Sequence, residues 1–307
     1  MDMMVATGVL GGLVWLHRRG LPVARRLGRA GAPVGLGLAV GIWALSLLPP
    51  GASVFTRLFS IHEAGHLALR LLAPLLFVLA WPFPALIAGL PRGWRRGLRR
   101  MRAAGLLGGL LAGLPMALAL LIAWFYLWHL PALQEAARAR PLLLLGVHLG
   151  MAASGVNFLA RVLDRRGDPQ AMTQARRLLA VTVVILSNIL LGSLITLKEV
   201  VLYPGYAGGI SGESIGGYTI WVPSSMVMIV VILLLFGRWN AAEERRWQNR
   251  HLAGGPNFAA LEFPETAEEL RLKTAAPNLS FARLLGVTAL AIFLTVFSTV
   301  AVIVALG

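Results

Sequence analysis

The chain has 307 residues, of which 57% are hydrophobic and only 13% charged, too apolar for a soluble globular domain. It contains no cysteine, which excludes a disulfide framework, a Cys-zinc site and a thiolate copper site. A net charge of +15 would point to nucleic acid in a soluble protein, but here the arginines fall in short loops between apolar runs, as the positive-inside rule expects of a membrane protein, so a nucleic-acid partner is set aside.

Apolar runs cover 3–16, 33–50, 54–80, 104–128, 141–163, 178–197, 218–237 and 281–306. They predict an all-α, polytopic membrane helix bundle of about eight transmembrane helices. The first run is short, so it is either a tilted span or an interfacial helix, and seven spans is the alternative. It lacks a basic leader and a small-residue cleavage site, so it does not read as a signal peptide.

Arginines orient the bundle. Segment 17–30 carries Arg18, Arg19, Arg25, Arg26 and Arg29; segment 91–102 carries Arg92, Arg95, Arg96, Arg99, Arg100 and Arg102; segment 161–177 carries Arg161, Arg165, Arg166, Arg176 and Arg177. These alternate loops are expected on the cytoplasmic side, which puts 51–53, 129–140 and 198–217, and both termini, outside. The polar segment 238–280 falls on the cytoplasmic side, with a short helix predicted near Pro264–Thr266. The expected organisation is a bundle over 1–240, a linker over 241–280 and an extra membrane helix over 281–307.

Within the third run, residues 62–66 read His62-Glu63-Ala64-Gly65-His66. Histidines four residues apart share one helix face. Ionisable groups in a bilayer are costly and mark functional sites. Counting ~1.5 Å per residue from the expected outer ends puts His62 ~12 Å deep, His66 ~18 Å and His148 ~10 Å, with His129 at the outer rim. Four of the six histidines thus converge on the outer half of the bilayer, while His17 and His251 fall at cytoplasmic positions. Facing helices that each contribute a ligand are how bundles build metal sites. Imidazole suits copper, zinc and iron, and thioether selects copper(I). Met226 and Met228 are two residues apart, so they cannot both face one site. The competing reading leaves each histidine hydrogen-bonded to a neighbouring helix.

The same five residues spell HExxH, the pattern of zinc metalloproteases. That chemistry needs a third ligand, which His148 could supply, and an open coordination position. Neither an Asn…Pro…Leu-Asp-Gly stretch nor a Walker motif accompanies it. Haem ligation by membrane histidines is a further alternative. Glu63 and Arg70 lie two turns apart on one helix, which suggests mutual charge compensation.

Several stretches, taken in order, resemble one family. His62-Glu-Ala-Gly-His66 followed by Ala73-Pro74-Leu75-Leu76 is similar to the His-Met-x-x-His…Ala-Pro-x-Leu-Leu segment of the CtaG-type (caa3-type) cytochrome c oxidase assembly factors. Leu90-Pro-Arg-Gly-Trp-Arg-Arg96 resembles the basic loop after that helix, Trp128-His129-Leu130-Pro131 the Trp-His-Leu-Pro motif, and Val147-His148 the Glu-His of the next helix. Tyr203-Pro204 and Gly217-Tyr-Thr-Ile-Trp221-Val-Pro223 resemble the late Trp-Val-Pro helix. The likeness covers about 5–240. It implies a non-enzymatic, multi-pass protein of the bacterial plasma membrane that matures a haem-copper cytochrome c oxidase. The expected partners are oxidase subunits and the lipid bilayer. The implied cargo is copper, with zinc as the alternative, and the matching metal residues are His62, His66, His148 and His129. Glu63 replaces the usual Met, Arg70 an apolar residue, Val147 a Glu and Leu144 a His; the late acidic-Gln pair is displaced to Gly212-Glu213-Ser214. Those departures also admit a non-catalytic subunit of a respiratory complex.

Overall fold

A chain that is apolar over most of its length can satisfy its backbone inside a bilayer by closing hydrogen bonds within each helix. The computed structural model describes residues 2–28, 31–48, 57–103, 113–164 and 171–253, with isolated positions beyond, and these are almost wholly helical. The helices are α1 (Asp2–Arg26), α2 (Pro33–Leu47), α3 (Phe59–Ala80), α4 (Phe83–Gly89) and α5 (Arg92–Ala103). After them come α6 (Leu114–Trp128), α7 (Pro131–Ala139), α8 (Pro141–Val162), α9 (Ala171–Leu197) and α10 (Gly209–Ala253).

The expected eight spans are not met among the described residues. Four helices are long and apolar enough to cross a membrane, within Phe59–Ala80, Pro141–Val162, Thr173–Leu197 and Gly209–Ala242. A fifth arises only if α6 and α7, which meet at a bend of 75°, count as one broken span. Pro131 explains the bend, because proline disfavours helical backbone in the residue before it, and Leu130 is extended. Helix α2 has 15 residues, or ~22 Å, short of a ~30 Å hydrocarbon core. The apolar run at 3–16 is the start of a 25-residue helix that carries its arginines to Arg26. Helix α10 continues unbroken past residue 240 to Ala253. The expected helix near Pro264–Thr266 and the last span over 281–306 lie outside the described residues, isolated positions aside.

Helix α3 is the axis of the bundle. Its first half packs on α10, its second half on α2, and α8 runs along its middle and second half. Helices α9 and α10 form the most extensive pair. They cross at Gly192 and Gly217, where a Cβ added to either would lie 2.7–2.8 Å from the other's carbonyl oxygen. Such small-residue crossings suit membrane helices, which gain their association energy from close contact.

The middle of α3 is a wide π turn over Ala68–Leu72. Pro74 accounts for it. A helical proline has no N–H to donate, and its ring crowds the carbonyl four residues earlier, that of Arg70. Neighbouring helices take up the loosened backbone: Trp43 Nε1 donates to the Leu69 carbonyl at 3.2 Å. The Arg70 carbonyl lies against α8 at Gly155, where a Cβ would collide with it.

Candidate metal centre

Helix α3 begins at Phe59, later than the apolar run suggests. His66 is therefore seven residues inside α3, and His148 is seven inside α8, which starts at Pro141. Both sit about 10 Å from their helix starts. The two meet: His66 Nε2 and His148 Nε2 are 3.1 Å apart. His62, one turn before His66, has its ring centroid 4.1 Å from that of His66 and 6.5 Å from that of His148. Sequence counting had levelled His148 with His62; the true start of α3 levels it with His66.

Trp128, at the end of α6, closes this group from one side. Its ring lies 5.6, 5.0 and 5.7 Å from the rings of His62, His66 and His148. The Trp128 side chain is buried, and its indole N–H has no acceptor among the described residues.

Glu63 organises the histidines. One carboxylate oxygen is 3.5 Å from His66 Nδ1 and the other 3.3 Å from His129 Nε2. One ligand atom from each of His62, Glu63 and His66 falls within 4.8 Å of the others. A proton on His66 Nδ1 would face the carboxylate and leave Nε2 as the lone-pair nitrogen facing His148. This is how an outer carboxylate sets the tautomer of a metal-ligating imidazole. His129 Nδ1 donates to the Phe125 carbonyl at 2.7 Å. A neutral His129 would then turn a lone pair toward Glu63. His129 thus belongs to Glu63 and is buried.

Arg70 follows in the π turn and is also buried. The expected compensation between Glu63 and Arg70 takes a different form. The carboxylate turns to the two histidines, while the guanidinium donates to Asn188 Oδ1 at 3.1 and 3.2 Å and stacks over Phe125 at 3.6 Å. Each charge is matched by polar or aromatic groups from another helix, the condition for keeping it buried.

The connection from α9 to α10 covers the histidines. Tyr206 lies 5.1 Å from the His62 ring, and Tyr203 stacks on Phe59 at 4.7 Å. The Tyr203 hydroxyl donates to the His129 carbonyl at 2.7 Å. Glu213 holds the connection down by accepting from the Leu202 and Tyr203 amides at 3.0 and 2.7 Å and pairing with Lys198. Burial pushes the Tyr206 phenol up to about 12, against the opposing effect of Arg138 over its ring. Burial and the nearby carboxylates raise Tyr203 as well, so both phenols stay protonated at neutral pH.

The family decides what this geometry belongs to. The model of the cytochrome c oxidase caa3 assembly factor family matches residues 9–242, most of the chain. The chain belongs to that family. It is therefore a cytochrome c oxidase assembly factor with membrane-type helices, and its match includes every histidine of the centre. Comparison with curated proteins and with solved structures returned no significant match.

Sequence reasoning selected His62, His66, His148 and His129 but missed three contributors. Glu63 was read as a departure, although its i, i+3 spacing to His66 is a helix-neighbour signal. Trp128 was noted only as part of a motif. Asn188 lies in an otherwise apolar run, and a lone amide there was the available signal.

Proposed function

We propose that this assembly factor binds copper at His62, His66 and His148, in the outer half of the plasma membrane, and supplies it to a haem-copper oxidase. The 3.1 Å approach of the His66 and His148 Nε2 atoms carries the reading. Two imidazoles bound at 2.0–2.1 Å to one tetrahedral ion have their nitrogens roughly 3.3 Å apart. Among divalent ions a site of imidazole nitrogens binds copper more tightly than zinc. Glu63 lies between His66 and His129 with one oxygen toward each and positions them. Both of its oxygens face imidazoles, which leaves it badly placed as the base of a zinc hydrolase and favours the carrier reading over the protease one.

The test is copper loading of the purified full chain. Wild-type protein is expected to retain one copper per chain, and His148→Ala to retain background only. Glu63→Gln should weaken retention about 10- to 100-fold, the usual cost of losing an outer-shell partner. Wild-type protein holding no copper above background would overturn the reading. Cleavage of a membrane substrate that Glu63→Gln abolishes would replace it with the protease.

A further inference from the structure

At the other end of α3 the described helices leave an open space between them. A cavity of about 1000 Å³ lies between α1, α2, α4 and α8. Along α8 it follows one helix face through Leu149, Ala153, Val156, Asn157, Arg161 and Asp164. That stripe is apolar as far as Val156; beyond it Ala160 lies among the polar Asn157, Arg161 and Asp164. It spans ~22 Å, of which ~10 Å is apolar on α8. Trp43 and Phe77 continue the apolar part on α2 and α3.

The polar end has a sign. Two guanidiniums, Arg95 from the basic helix α5 and Arg161 from α8, line the cavity against the single carboxylate of Asp164. Trp81, in a left-handed conformation at φ 51° that turns α3 into α4, lines the cavity as well. Tryptophan beside arginine where apolar helices end is the pattern of a membrane interface. Basic pockets between membrane helices bind anionic lipid head groups.

We propose that this cavity seats one anionic phospholipid, with its phosphate between Arg95 and Arg161 and an acyl chain along Ala153, Trp43 and Phe77. The excess of guanidinium over carboxylate selects an anionic head group, and the apolar length behind it selects a chain. The alternative occupants, residues 281–306 of the same chain or a second copy, have to account for a basic end; the run 281–306 carries Arg283 and no acidic residue to offer it. The proposal rests on the membrane placement of α8 and is independent of the metal reading.

The experiment uses the delipidated full chain in mild detergent, offered phosphatidylglycerol or phosphatidylcholine and weighed intact by native mass spectrometry. One phosphatidylglycerol should be retained in preference to phosphatidylcholine. Arg95→Ala and Arg161→Ala should each reduce retention about fivefold, the effect of one basic residue at an anionic membrane surface. Ala153→Trp should fill the chain's path and abolish retention, with helical circular dichroism and melting temperature confirming that the variant folds. Equal retention of both lipids, or indifference to the arginine substitutions in folded protein, overturns the proposal. So does a photocrosslinker attached at Ala153→Cys, the chain's sole thiol, that captures residues 281–306 or a second copy rather than lipid.

Discussion

The two halves of α3 face opposite kinds of surroundings. From Phe59 to Arg70 the helix carries two imidazoles, a carboxylate and a guanidinium, all buried, and α6, α8, α9 and the connection from α9 to α10 meet them with polar or aromatic groups. From Ala73 to Ala80 it is wholly apolar, and an open cavity lies beside it. A soluble protein would collapse the second region first. In a bilayer the tails are as apolar as the side chains, so apolar faces gain little by closing and polar groups act as the glue. The chemistry is therefore packed tight, and the apolar half can stay open to amphiphiles.

The largest expected effect is at the polar end. His66→Ala removes the residue that touches both His148 and Glu63, and copper retention should fall more than about 100-fold, beyond the loss of an outer partner alone. A metal titration that leaves affinity within tenfold would break the contrast, because the closed half would then be ordinary packing. Next is Asn188→Leu, which leaves the Arg70 guanidinium without its amide acceptor. It should destabilise the protein by about 2–3 kcal/mol, as expected for a hydrogen bond to a buried charge. Thermal unfolding in detergent would measure it, and an unchanged midpoint would show that Phe125 stacking suffices.

Two neighbouring positions on α8 sharpen the comparison. Gly155 faces the Arg70 carbonyl in the closed half, and Ala153 lines the cavity. Gly155→Leu should cost about 1–3 kcal/mol by forcing α3 and α8 apart. Ala153→Leu adds a similar volume into open space and should change stability by less than about 0.5 kcal/mol. If the same melting assay finds equal losses, the two halves are packed alike.

The membrane character, the helical class and the four histidines were legible because they rest on composition and on the i, i+4 period, which are local properties. The number of spans was not. Whether α2 is long enough, or whether Pro131 bends α6 away from α7, depends on where each helix starts and stops within an apolar run that carries no internal marker. Depth suffered for the same reason: with α3 starting at Phe59, His148 stands level with His66 rather than with His62.

What the chain determined by itself is which residues are too costly to leave in lipid without a partner: His62, Glu63, His66, Arg70 and His148. Tertiary structure decided how they pair. Glu63 and Arg70 look like natural partners on one helix, yet side chains seven residues apart stand about 10 Å apart along the axis. Each finds a closer partner across a helix crossing, His129 for the carboxylate and Asn188 for the guanidinium. Those partners come from the end of α6 and from α9, which meet α3 only in the folded bundle, and no single helix records them.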